Sequence, residues 1–307
     1  EEVPLGPRGF EGICGVGWSS IWGLSLADDS FAREPGLYSP TGEVRLRVDL
    51  EFGPIGLDFL RRRAKPSIFI HDLARHGKIL SGPADLLDGL RSVGAARIPR
   101  EDALFLVFNR TIEQLETYDR LAELAGESLL DVAYQRPKLL LDLAGSVLAF
   151  LGIHASSYAE RPAAFARAVA ATPALATLLA HGFQSDLERA ARVKLRPTTD
   201  DLVPRLMDPV DQRAWIRHTL VESVPAVTAV LRWELEELLR SAGDLRALLD
   251  RYLRAQPFTR RLRAWAKLAR HPMPAPLPLG LLRGARLFWR GTPRALLYAA
   301  GALAYQA

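Results

Sequence analysis

The chain has 307 residues, 49% hydrophobic and 24% charged, with a mean hydropathy near zero. That is the composition of a globular protein long enough for two domains. Its single cysteine, Cys14, excludes an internal disulfide framework, and no Cys/His array with zinc spacing is present. The formal net charge of +5 is unevenly placed: no Asp or Glu follows Asp250, whereas eleven Arg and Lys lie between Arg251 and Ala307. A basic tail of this kind attracts phosphate, whether in nucleotide, nucleic acid or anionic lipid.

Residues 1–40 are rich in Gly, Pro, Ser and Trp and lack helical periodicity. The run Gly12 to Ser20 reads as a loop, and its glycines, with Ser19 and Ser20, leave room for backbone N–H groups to approach a phosphate. It is neither a Walker A motif nor a dinucleotide fingerprint, because the strand, lysine or spacing is missing. Ile21 to Leu26 is expected as a short strand leading into Asp28 and Asp29. Adjacent acids point to opposite faces of a strand, so at most one of the two would join a metal site.

From Glu43 to Pro54 the pattern alternates strictly. Val44, Leu46, Val48, Leu50 and Phe52 fall on one face, and Glu43, Arg45, Arg47, Asp49 and Glu51 on the other. Asp49 and Glu51 thus share an edge, as carboxylates that hold a hard divalent cation must; a charged, solvated outer face accounts for the same spacing.

Leu57 to Arg63 reads as a short helix. Ser67 is a candidate N-cap and Gly77 a candidate stop for the segment between them, and His71 and His76 are five apart, one too many for two ligands on one helical face. From Arg100 the chain becomes helical. Leu104, Val107, Phe108, Ile112, Leu115 and Tyr118 recur at steps of three and four, with Asn109 and Arg110 among them. A more apolar helix is expected near 130–151, where Lys138 and Asp142 stand four apart on one face. A lysine in so apolar a helix needs a partner or a ligand. Asp142 and a phosphate are both open as the answer.

Further helices are expected at about 162–182, 183–194, 208–220 and 222–251, then a stiff Pro-rich linker at 272–278. Leu281 to Arg290 mixes Leu, Phe and Trp with Arg. Arg294 to Tyr305 is apolar but too short for a bilayer, which needs about 20 residues. It suits a helix packed on a bundle or one lying in a membrane interface.

Several of these segments, in order, give the chain a family resemblance. Val48-Asp49-Leu50-Glu51-Phe52, then Phe69 to Gly82 with its Gly77-Lys78-Ile79-Leu80-Ser81-Gly82 ending, then Phe108-Asn109-Arg110, Lys138 to Ala144 and Ser157 to Arg161 together resemble nucleotidyltransferase-like proteins of the polymerase-beta type. The resemblance covers about residues 44–165. It implies an α+β protein: a small mixed α/β nucleotidyltransferase-like domain at 1–98, a larger all-helical domain at 99–271, and a linker with a basic, apolar tail at 272–307. It also implies Mg²⁺-dependent transfer of a nucleotidyl group from a nucleoside triphosphate to an acceptor hydroxyl or phosphate. Asp49 and Glu51 would be catalytic acids holding metal, or Asp28 or Asp29 would be a remnant of the acid pair with Asp49 or Glu51 as the third. Gly17, Ser19 and Ser20 would cradle phosphate, and Arg110 and Lys138 would neutralise the triphosphate. Gly17-Trp18-Ser19 departs from the family's Gly-Ser pattern, so a divergent or degenerate member fits as well.

The alternative is a non-enzymatic helical scaffold that binds an anionic membrane surface or polyanion through its basic C-terminal tail. No recognised nucleic-acid reader motif accompanies the tail arginines. The chain opens without a basic segment followed by an apolar run, so no secretory signal is expected, and its lone cysteine suits a reducing compartment. The expected location is cytoplasmic, with peripheral membrane contact through residues 272–307. The absence of an initiator Met is what a trimmed or incomplete N-terminus would give.

Overall fold

The computed structural model describes residues 12–16, 52–56, 59–79, 84–90, 94–123, 127–153, 155, 157–176, 182–196, 208–270 and 281–307. The chain divides into two compact units, Glu1–Gly94 and Ala95–Ala307.

In the first unit, β1 (Gly12–Val16) pairs antiparallel with β2 (Phe52–Gly56), Gly12 opposite Gly56 and Val16 opposite Phe52. A single turn at Phe59–Arg63 precedes α1 (Ile68–His76). Ser67 is extended, and its Oγ accepts from Ile70 N at 3.1 Å, so it supplies the expected N-cap. Gly77 ends the helix at a close approach: a Cβ there would stand 2.3 Å from the Leu73 carbonyl oxygen. Leu60, Ile70, Leu87 and Leu90 form a small core, with Leu73, Ala74 and Ile79 packed against it.

The expected α+β architecture is overturned: the described residues are helical almost throughout, and no mixed α/β domain forms among them. The only extended pairing among them is this ribbon, whose sequences Gly-Ile-Cys-Gly-Val and Phe-Gly-Pro-Ile-Gly offer few side chains to cover a core. Pro54 also lacks an N–H for the ladder. The alternating stretch before Phe52 lies outside the described residues.

The second unit is built from α2 (Arg100–Arg120), α3 (Glu127–Phe150), α4 (Arg161–Ala170), α5 (Phe183–Leu195), α6 (Pro209–Val221), α7 (Val224–Leu239), α8 (Leu245–Ala255), α9 (Phe258–Arg270), α10 (Leu281–Arg290) and α11 (Pro293–Ala304). Helix α3 is the hub. Leu139, Leu140, Leu141, Leu143, Ala144, Val147, Leu148 and Phe150 are all buried, so it is apolar around nearly its whole circumference and must be enclosed. Helices α2, α4, α5, α6 and α7 pack against it.

Helix α11, the apolar run near the C-terminus, is part of the bundle. It packs on α2, where Tyr298 stacks on Phe108 with ring centres 5.0 Å apart and donates to Asn109 Oδ1. Among the described residues no helix is long and apolar enough to cross a membrane.

One polar pair lies in this core. Glu234 on α7 is fully buried, with Oε1 2.5 Å from Ser146 Oγ of α3; that hydroxyl also lies 2.8 Å from the Ala103 carbonyl. The hydroxyl has one proton to give, so both contacts are made when a protonated Glu234 donates from Oε1 to Ser146 and Ser146 donates to Ala103, while Glu234 Oε2 stays buried without a partner among the described residues. Burial pushes the Glu234 carboxyl up from 4.5 to about 8, with the Ser146 contact opposing. Between those two values the folded chain binds more protons than the unfolded one, so stability falls as pH rises from about 4.5 to about 8. Glu234→Gln keeps a hydrogen-bonding group without the charge. Urea unfolding should find it close to wild type at pH 5 and more stable than wild type by about 3 kcal/mol at pH 8.

Candidate anion-binding site in the helical unit

Two of the sequence-predicted site residues, Arg110 and Lys138, are among the described residues, and the packing of α2 against α3 brings them together. On α2, Arg110 and Glu113 are one turn apart; on α3, Lys138 and Asp142 are. The Arg110 guanidinium is engaged twice, by Asp142 through Nε and by Glu113 through Nη1. Lys138 Nζ lies 3.6 Å from Glu113 Oε2. The two α3 residues that share a face therefore pair across to α2, Asp142 with Arg110 and Lys138 with Glu113. Burial works against the Arg110 charge, but the Asp142 and Glu113 carboxylates outweigh it and hold its pKa above the ordinary arginine value.

Two further cations converge here from other elements. Arg161, the first residue of α4, donates from Nη1 to the Leu141 carbonyl at 3.2 Å, and its guanidinium carbon lies 4.6 Å from the centre of the Tyr158 ring. Gly145, one turn beyond Leu141, leaves that side of α3 open to Arg161, which lies 3.5 Å from where a Cβ would be. Lys194 comes from the last turn of α5, with Nζ 5.4 Å from the Tyr134 ring centre and 5.5 Å from that of Tyr158. Both distances are within cation–π range.

Lys194 has a lowered pKa. Burial is the main cause, followed by repulsion from Lys138, with Arg110 and Arg161 adding to it and Asp142 opposing. Burial also raises the Tyr134 phenol above its usual range, so it stays a neutral hydroxyl. Among the described residues the cluster sets four cations, Arg110, Lys138, Arg161 and Lys194, against two carboxylates, Glu113 and Asp142. Among the described residues this leaves two positive charges in excess at a half-buried junction of four helices, which an anion would offset.

Sequence reading assigned no role to Arg161, Lys194, Tyr134 or Tyr158. Tyr134 carried a signal: with Lys138 and Asp142 it forms a series at steps of four, one stripe of α3. Lys194 has no such local sign, since only tertiary packing brings α5 to that stripe. The other expected site residues, Gly17, Ser19, Ser20, Asp28, Asp29, Asp49 and Glu51, lie outside the described residues. Among the described residues no group of three or more His, Cys, Asp or Glu is placed to hold a metal ion, so none of them supplies the expected Mg²⁺ site.

Comparison with family models, with curated proteins and with solved structures gives no match for this chain.

The lowered proton affinity of Lys194 is directly measurable. In a ¹³C-methylated sample of the five lysines, the NMR signal lost in Lys194→Arg should titrate below the ordinary lysine range. A Lys194 signal titrating within that range would contradict the burial and charge crowding around it.

Proposed function

We propose that the helical unit binds the phosphate groups of a nucleotide at Lys138, Arg161 and Lys194. The observation that supports this most is the imbalance of four cations against two carboxylates around the Tyr134 and Tyr158 rings. Arg110 acts as a positioning residue. With its guanidinium engaged by Asp142 and Glu113, it neutralises the carboxylates that would otherwise repel a phosphate. Lys138, Arg161 and Lys194 are half-buried, close enough to solvent for a ligand to enter and dry enough for their charge to count. A phosphate bearing two negative charges balances the cluster. Donors from a flexible ammonium and a planar guanidinium are the groups that phosphate oxygens take.

The chemistry suggested by the sequence, Mg²⁺-dependent nucleotidyl transfer, requires carboxylates as well. Its candidates are Asp49 and Glu51.

Calorimetric titration with ATP, CTP, GTP, UTP and pyrophosphate, with and without Mg²⁺, separates the two. Lys194→Met and Arg161→Gln should each weaken binding at least ten-fold, in keeping with roughly 1.5–3 kcal/mol for a hydrogen bond to a charged group. Arg263→Gln on α9 should bind as wild type. Asp49→Ala combined with Glu51→Ala should abolish Mg²⁺ binding in a titration with the metal alone and leave Mg²⁺-free pyrophosphate binding intact. Absence of binding by every one of these ligands would refute the reading.

A further inference from the structure

Helices α9 and α10 carry apolar groups that the bundle does not cover. On α9, Phe258 and Leu262, one turn apart, are 52% and 53% exposed, and on α10 Trp289 is 65% exposed. The three rings of Phe258, Phe288 and Trp289 meet at centre-to-centre distances of 5.6–6.0 Å, joining the start of α9 to the end of α10. Cations surround them. Arg263, Lys267 and Arg270 on α9 and Arg286 on α10 are exposed, Arg260 pairs with Glu101 of α2 at 2.7 Å and Arg290 lies 4.0 Å from Asp250, and no acid occurs in the sequence after Asp250.

The pair of helices is held firmly from behind. Arg261, the one buried residue of α9, donates from Nη1 to the Trp289 carbonyl at 2.7 Å and from Nη2 to the Arg254 carbonyl at 2.6 Å. Trp265 Nε1 donates to the Gly291 carbonyl at 3.0 Å. The exposed rings are thus presented on a fixed frame.

We infer that α9 and α10 form a docking face for an anionic lipid bilayer, lying in the plane of the headgroups with Phe258, Leu262, Phe288 and Trp289 toward the acyl boundary. The sequence of α9 supports that orientation. At 100° per residue Phe258, Leu262, Trp265 and Ala269 fall on one side, and Arg263, Lys267 and Arg270 on the other, where Arg260 is turned to Glu101 of α2. An interfacial helix has this division, with basic groups reaching the phosphates and aromatic rings at the boundary. A helix of 13 residues is too short to span the hydrocarbon core, which takes about 20. A nucleic-acid backbone would satisfy the arginines and leave Phe258 and Leu262 in water, so the bilayer accounts for more of the face. This inference is independent of the nucleotide site.

The test is co-sedimentation of the full chain with large unilamellar vesicles, either pure phosphatidylcholine or phosphatidylcholine with 30% phosphatidylserine. Wild-type protein should pellet with the anionic vesicles, lose that binding as salt rises, and stay in solution with the neutral ones. Phe258→Ser combined with Trp289→Ser should reduce binding at least ten-fold while the helical circular-dichroism spectrum is kept, because both side chains are more than half exposed. Arg263→Gln with Lys267→Gln and Arg286→Gln should also reduce it. The inference is overturned if the apolar double variant pellets like wild type, if neutral vesicles are bound equally well, or if the wild type ignores both vesicles. It is equally overturned if, instead of binding vesicles, the wild type uses these residues to bind single-stranded RNA or to form a dimer detected by light scattering.

Discussion

The constraint on which the helical unit depends is the enclosure of α3. A helix with apolar residues on nearly every side cannot lie on a surface, and among the described residues five helices pack around it. The few polar residues that α3 carries are forced into company. Ser146 meets a buried glutamic acid, and Asp142 and Lys138 meet a basic and an acidic residue from α2. The stripe of Tyr134, Lys138 and Asp142 is the seam where α2, α4 and α5 come together. Core and candidate site are therefore two aspects of one packing problem, since the helix that excludes water also decides which charges must face each other.

Much of the helical unit was legible from periodicity. The steps of three and four in α2 and the apolar density of α3 mark both helices within a few residues of their observed ends. Helices α5 and α6 also lie near their expected positions. Two expected long helices are shorter for local reasons. The one begun at Arg161 stops at Ala170, ahead of Pro173 and the left-handed Gly182. The one expected over 222–251 breaks at Arg240, which is itself left-handed with φ 50°, and restarts where Asp244 caps Ala247 N at 2.7 Å. The expectation of an α/β layer rested on an alternating stretch and a resemblance, and alternation alone cannot say whether a strand finds neighbours to make a sheet.

The site was legible only in part. Arg110, Lys138 and Asp142 stand out because a charge in an apolar helix is locally conspicuous. Arg161 and Lys194 sit at a helix start and a helix end, where basic residues are ordinary; Tyr158 stands three residues before Arg161, but only packing brings Lys194 to it and to Tyr134. The tail shows the opposite difficulty. Its most apolar run, 294–305, invites a membrane reading, yet Tyr298 and the neighbouring small residues place it in the bundle, with Gly301 admitting Ile112 to within 3.0 Å of where a Cβ would stand. The less apolar helices before it are the ones left facing solvent. Mean hydropathy is blind to this, because what matters is which face finds a partner.

Arg261 ties these two regions together. Its guanidinium closes the last carbonyls of α8, groups that a helix end ordinarily leaves to water, and it reaches α10 in the same grip. In mechanical terms it is a pin and not a strap. Force applied to the exposed rings is delivered to the end of α8, whose Leu248, Leu249, Tyr252 and Leu253 are buried in the bundle. The C-terminal helices are consequently a bracket bolted to the core: where they are held, the orientation of the whole helical unit is held with them.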